Sequence, residues 1–80
     1  MEYEEIYAKV SSILTDYLRL DEGEVTPESH VVNDIGADSL ALVELGFKFS
    51  EAFGIGMMSP TEDNMVIGNM VRNIQREMAN

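Results

Sequence analysis

The sequence has no cysteine, one histidine, and five lysines and arginines set against fifteen acids. With no cysteine, a disulfide framework and a thiolate metal site are both excluded. The shortage of positive charge leaves a net charge of −10, which repels phosphate backbones and argues against nucleic-acid binding. Basic partner surfaces are the natural counterpart of such a chain. No apolar run is long enough to span a bilayer, and the start, MEYEE, is acidic where a secretory signal would be basic. These absences predict a cytoplasmic protein with no membrane partner. No segment alternates with a period of two over a useful length, so strands are not expected. Internal repeats, low-complexity tracts, a glycine-rich phosphate loop and a metal-binding set of histidine and carboxylates are missing too.

What is present is a chain of 80 residues with 45% hydrophobic content, enough for one small packed domain over residues 1–80. Residues 1–40 carry ten acids against Lys9 and Arg19, and residues 41–80 carry five against Lys48, Arg72 and Arg76. In the first segment Ile6, Val10, Ile13, Leu14, Tyr17 and Leu18 share one helical face, with acids at the start where the helix dipole favours them. That helix should end near Arg19–Leu20. A polar stretch follows, in which Thr26–Pro27 reads as a cap and first turn of a brief helical piece. Val31, Val32 and Ile35 give this loop apolar anchors for packing across the core. His30, within the loop, reads as a solvated residue.

A second helix should begin at Asp38 or Ser39, run to about Phe53, and end at Gly54 and Gly56. The run SPTE at 59–62 is a capping-box sequence opening a short third helix of one or two turns. Ile67, Met70, Val71, Ile74 and Met78 form the stripe of a last helix. The fold class is therefore all-α: a four-helix bundle with a short third helix and a long ordered loop between helices 1 and 2.

The second helix is apolar on two sides. At 100° per residue, Leu42, Leu45, Gly46, Phe49, Ala52 and Phe53 fall together and suit a core, with Gly46 permitting close approach. Leu40, Val43, Glu44, Phe47 and Glu51 fall opposite. A domain this small cannot easily bury both faces, so the second set is expected to form a docking strip with an apolar centre and an acidic rim.

Beside that strip lies GADSL, residues 36–40, which places Ser39 where a polar loop turns into the second helix. Asp38 and Ser39 are both cap formers, and Asp38 alone could cap the helix, leaving Ser39 on the first turn and pointing outward. A nucleophile elbow needs glycine two places after the serine, and Ala41 stands there. The GDSL lipases differ as well, because Ala37 separates Gly36 from Asp38. His30 has no evident carboxylate to orient it as a base. A calcium loop starting at Asp34 would put Ser39 where glycine is required and Leu45 where glutamate is required.

From the first helix through the last, the chain resembles the acyl carrier proteins. The stretch DIGADSLALVEL is similar to that family's D-L-G-A-D-S-L-x-x-V-E-L, with Ile35 for leucine, and IYAKVSSILTDYL, EVTPESHVVND, SEAFGI and MVIGNMVRNI agree in kind and order. The resemblance implies a protein that is not itself an enzyme. It implies that a phosphopantetheinyl transferase moves 4′-phosphopantetheine from coenzyme A onto Ser39, and that the arm's thiol then carries acyl groups. It also implies that Asp38 contributes to transferase recognition, and that Leu40, Val43, Glu44 and Phe47, with Glu51 beside them on the same strip, meet acyl-transferring and chain-extending enzymes through basic or apolar patches. A monomer is expected. Peptidyl or aminoacyl carriers share the serine but more often show G-G-D/H-S-L, and an unmodified helical adaptor is the remaining alternative.

The sequence departs from the family pattern at several points. Ala41, Ser50 and Ala52 occupy positions that are often acidic, Lys48 adds a positive charge, Phe47 stands for methionine and Val31 for phenylalanine. These substitutions suggest a specialised carrier read by partners through apolar contact more than charge, with Ala41, Lys48, Ser50 and Ala52 deciding which partners. GIGMMSPTEDNM replaces the usual G-I-E-I-P-D-E-D run and is about one residue shorter. Met57 and Met58 in that run are expected to line the entry of the acyl chain, while Met65, Met70 and Met78 fill the core.

Overall fold

The computed structural model describes residues 2–56 and 62–79. Its regular structure is helical: α1 (Tyr3–Leu18), a 3-10 turn (Glu22–Glu24), α2 (Ser39–Phe53), α3 (Glu62–Met65) and α4 (Ile67–Ala79). No strand occurs among the described residues; the one bridge is an isolated antiparallel pairing of His30 with Val66. α3 is a single turn, so three helices make up the body.

α1 starts on a reciprocal box in which the Glu2 carboxylate accepts from the third helical amide and the Glu5 carboxylate accepts from the Glu2 amide. This satisfies two of the amides that a helix start leaves without partners. The helix ends where Arg19 takes the left-handed conformation, φ 56°, and Leu20 N–H donates to Thr15 O at 3.0 Å. Ile6, Val10 and Leu14 are fully buried, while Ile13, Tyr17 and Leu18 pack only partly against the core. α1 packs on both α4 and α2. From α4, Ile67, Val71 and Ile74 are fully buried and Met70 nearly so. Each such aliphatic side chain contributes about 1.5–3 kcal/mol relative to leaving it in water.

The expected helical piece at Thr26–Pro27 is not formed. The helical turn lies upstream, at Glu22–Glu24, because Asp21 and Glu24 cap one another reciprocally. Thr26 instead opens a tight turn: its amide donates to Ser29 Oγ at 3.1 Å and its carbonyl accepts from Ser29 N–H.

The long loop is nonetheless ordered, and its backbone shows how. Gly68 N–H donates to Pro27 O (2.8 Å), Ile67 N–H to Ser29 O (3.0 Å), and Val31 N–H to Met65 O (2.7 Å). Residues 27–31 thus lie along the α3–α4 junction as a short ribbon. Gly68 suits this close approach, since a Cβ would sit 3.0 Å from the Pro27 carbonyl oxygen and 3.3 Å from the Tyr3 hydroxyl and crowd both. Of the three predicted anchors, Val31 is fully buried and Ile35 partly so, but Val32 is exposed. Val25 and Ala37 supply the remaining anchorage. The Tyr7 hydroxyl donates to Val25 O at 3.2 Å, tying the loop to α1. Burial, then the neighbouring Tyr3 and Glu28, pushes the Tyr7 phenol above its ordinary range.

Candidate functional site

The candidate site forms where the loop enters α2. Gly36 takes φ +91°, a conformation that side-chain-bearing residues rarely adopt, and turns the chain so that Ala37 is buried. Asp38 is extended and is the N-cap: its Oδ1 accepts from Ala41 N–H at 2.8 Å. Ser39 is the first helical residue and is exposed. The cap is thus supplied by Asp38, and the Ser39 hydroxyl is presented to solvent at a helix N-terminus.

The approach to this corner is a hydrogen-bonded turn over residues 30–37. His30 O accepts from Asp34 N–H and Ile35 N–H, Val32 O from Gly36 N–H, and Val31 O from Ala37 N–H. The turn is capped by a side chain that sequence reading left as a solvated loop residue. His30 Nδ1 accepts from Val32 N–H (3.2 Å) and Asn33 N–H (3.0 Å), and the Asp34 carboxylate accepts from His30 N–H (2.7 Å). The sequence carried little signal for it, because a capping box spans three residues and Asp34 stands four after His30.

Along α2 the exposed strip is as expected. Leu40 is 72% exposed, Val43 50% and Phe47 52%, with Glu44 and Glu51 also exposed beside them. The opposite face holds Leu45, Phe49 and Phe53 in the core.

The neighbouring positions singled out in the sequence have varied surroundings. Ala41, expected to help select partners, is buried at the base of the first turn. Ser50 donates its hydroxyl to Ile55 O and closes the end of α2. Ala52 is exposed and lines an open groove between α1 and α2, with Ile13, Asp16, Tyr17, Arg19, Lys48 and Glu51. Lys48 carries its ammonium to 5.3 Å from the centre of the Tyr17 ring. Gly46 is half-buried. Met57 and Met58, and most of the SPTE box, lie outside the described residues.

Among the described residues no group of three or more His, Cys, Asp or Glu side chains is placed to hold a metal ion, and no helix is long and apolar enough to cross a membrane. Residues 8–73 match the family model described as the phosphopantetheine attachment site. The chain is also 38% identical over 76 residues to the acyl carrier protein of Thermotoga maritima, covering 94% of each chain. The chain belongs to the acyl carrier protein family.

The family's prosthetic group is 4′-phosphopantetheine, and this corner of the fold suits it. A phosphodiester needs an accessible hydroxyl, which Ser39 offers at its exposed position. It is favoured by the partial positive charge of a helix start, and α2, at 15 residues, is long enough to provide one. The Asp38 carboxylate is already engaged by Ala41 N–H, so its like charge is fixed beside the serine.

Proposed function

We propose that this chain carries acyl groups on a 4′-phosphopantetheine arm joined through a phosphodiester to the Ser39 hydroxyl. The observation that carries the reading is an exposed serine that is not needed as a cap, at the head of a helix whose outer face leaves Leu40, Val43 and Phe47 at least half exposed. When bound, the arm supplies a thiol for acyl attachment. The chain's own residues supply the handle, its electrostatic setting and the surface by which partners recognise it. Asp38 caps α2 and holds a negative charge beside the attachment oxygen, which disfavours the arm folding back along the helix.

The strip of Leu40, Val43, Glu44, Phe47 and Glu51 is the docking face for the phosphopantetheinyl transferase and for acyl-handling enzymes. Its apolar centre gives affinity, and its glutamates favour partners with basic rims. Burial of Ala41 and engagement of Ser50 remove two positions from the set that could tell partners apart. The apolar bias of the strip therefore rests on Phe47 and on Lys48 being drawn toward α1. We assign the protein to a specialised carrier role, as a monomer in the cytoplasm, without catalysis of its own. The one-turn α3 serves as the short third helix of a four-helix carrier bundle.

Intact mass spectrometry tests the reading directly. Incubated with coenzyme A and a broad-specificity transferase, the protein should gain the mass of one phosphopantetheine, and Ser39→Ala should gain none. A protein that stays at its original mass would leave only an unmodified adaptor.

A further inference from the structure

We propose that His30 is a positioning residue for modification of Ser39: by capping the 30–37 turn it fixes the wall of loop against which the transferase must seat. The inference rests on Ser39 being the attachment point.

The geometry is that of a helix cap made by an imidazole. Nδ1 accepts from two successive amides, Val32 at 3.2 Å and Asn33 at 3.0 Å. The main chain returns the interaction, because His30 N–H donates to the Asp34 carboxylate. Four amides downstream then close onto His30, Val31 and Val32 carbonyls, the last of them Ala37 N–H onto Val31 O. Ala37 directly precedes the cap of α2, so an unbroken series of hydrogen bonds runs from the imidazole to the residue before Asp38.

The other end of the turn is anchored as well. The backbone of residues 29–31 is paired with residues 65–67 at the α3–α4 junction, and Val31 is fully buried. The turn is thus fixed at its base by the core and at its amide end by one side chain. What it presents outward is Val32, one of only four large hydrophobics left exposed among the described residues; the other three are Leu40, Val43 and Phe47 on the strip. The turn runs into Ala37 and the Asp38 cap through the Gly36 N–H to Val32 O and Ala37 N–H to Val31 O bonds. On this reading the turn, with Val32 on its outside, is part of the surface that a partner reaching Ser39 meets. The cap is exposed, so water can hydrogen-bond the freed amides. Water cannot replace the fixed position of the turn.

The test compares His30→Ala with His30→Ser, whose hydroxyl can cap the same amides. Initial rates of phosphopantetheine transfer are measured at varied carrier concentration. The Ala variant should show a raised KM, by at most the roughly fivefold that a cap of about 1 kcal/mol could supply, with kcat little changed and the Ser variant restored toward wild type. Amide hydrogen exchange gives the independent readout. Protection at Val32 and Asn33 should fall in the Ala variant, return in the Ser variant, and leave the core amides of α1 and α4 as they were. If the Ala variant is modified with wild-type KM, or if Ser restores amide protection but not KM, the inference is overturned. If loss of the cap unfolds the Ala variant, the comparison of wild type with His30→Ser still decides it, since equal KM with equal protection at the two amides is required. Failure of the wild-type protein itself to gain phosphopantetheine would instead remove the reading on which the inference stands.

Discussion

Phe47 and Phe49 lie two residues apart on α2, and one is 52% exposed while the other is 4% exposed. Chemistry and helix propensity are the same for both; what differs is the company each keeps. Phe49 continues a row, Ala41, Leu45, Phe49 and Phe53, that advances four residues at a time along the side facing the core. Phe47 continues Leu40 and Val43 on the side that stays exposed. An apolar residue that remains exposed beside an exposed serine points to a surface kept for a partner rather than to a failure of packing. The contrast separates what α2 does for stability from what it does for recognition, and substitutions can test each half.

The largest effect is expected at the buried ring. Phe49→Ala should cost about 3–5 kcal/mol in urea unfolding, as core phenylalanine truncations do, whereas Phe47→Ala should stay within about 0.5 kcal/mol of wild type. Because a domain of this size holds only about 4–12 kcal/mol in total, the first variant is expected to approach the limit of folding. Comparable losses at both positions would mean that the strip is covered in solution, and the division of α2 into two faces would have to be abandoned.

Recognition should show the reverse order. A central aromatic on a docking face typically contributes about 1–2 kcal/mol or more to binding, so Phe47→Ala should weaken transferase affinity roughly tenfold by calorimetry. Leu40→Ala and Val43→Ala should lie between that value and no effect. Affinity unchanged by all three substitutions would displace the docking surface to another part of the molecule.

The outer face of α2 was legible in the sequence because it follows from the helical period and from chain length. Of the expected inner face, Leu45, Phe49 and Phe53 are buried, but Leu42 and Gly46 are only half-buried and Ala52 is exposed. The Asp38 cap was legible because capping is local chemistry. Features that depend on distant segments were not. Ala41 was taken for a surface position by resemblance, but the first turn of α2 meets the core there and buries it. A tight backbone contact occurs at Gly68, where the loop carbonyl of Pro27 comes within 2.8 Å of its amide. That pairing joins residues some forty apart, and no local pattern announces it. Thr26 was read as a cap because proline follows it, but the mutual capping of Asp21 and Glu24 claims the helical turn first. Ser50 was read as a missing acid, although its partner, Ile55 O, exists only once Gly54 has turned the chain.

A smaller effect should come from the cap that borders both faces. Asp38→Ala removes the acceptor for Ala41 N–H and should lower stability by about 1 kcal/mol, while Asp38→Asn should recover most of it by retaining an oxygen at that place. Equilibrium unfolding measures this directly. If the two variants unfold alike and both well below wild type, the charge rather than the hydrogen bond stabilises the helix start.

The smallest effect is predicted at Lys48, and it bears on the boundary between the faces. In sequence, Lys48 adjoins Phe47 and would place a positive charge at the edge of the acidic strip. In the fold its ammonium lies 5.3 Å from the Tyr17 ring centre, toward α1. An exposed cation–π contact of this kind contributes about 0.5–1 kcal/mol, so Lys48→Gln should cost no more than that in unfolding. Because the charge is held away from the strip, the same substitution should leave the salt dependence of transferase binding nearly as it was. Glu44→Gln, by contrast, removes a charge on the proposed docking face and should flatten that dependence. Salt titrations of the two variants side by side give the answer. Equal slopes for Glu44→Gln and wild type, together with a changed slope for Lys48→Gln, would put the partner over the α1–α2 groove instead of over Phe47.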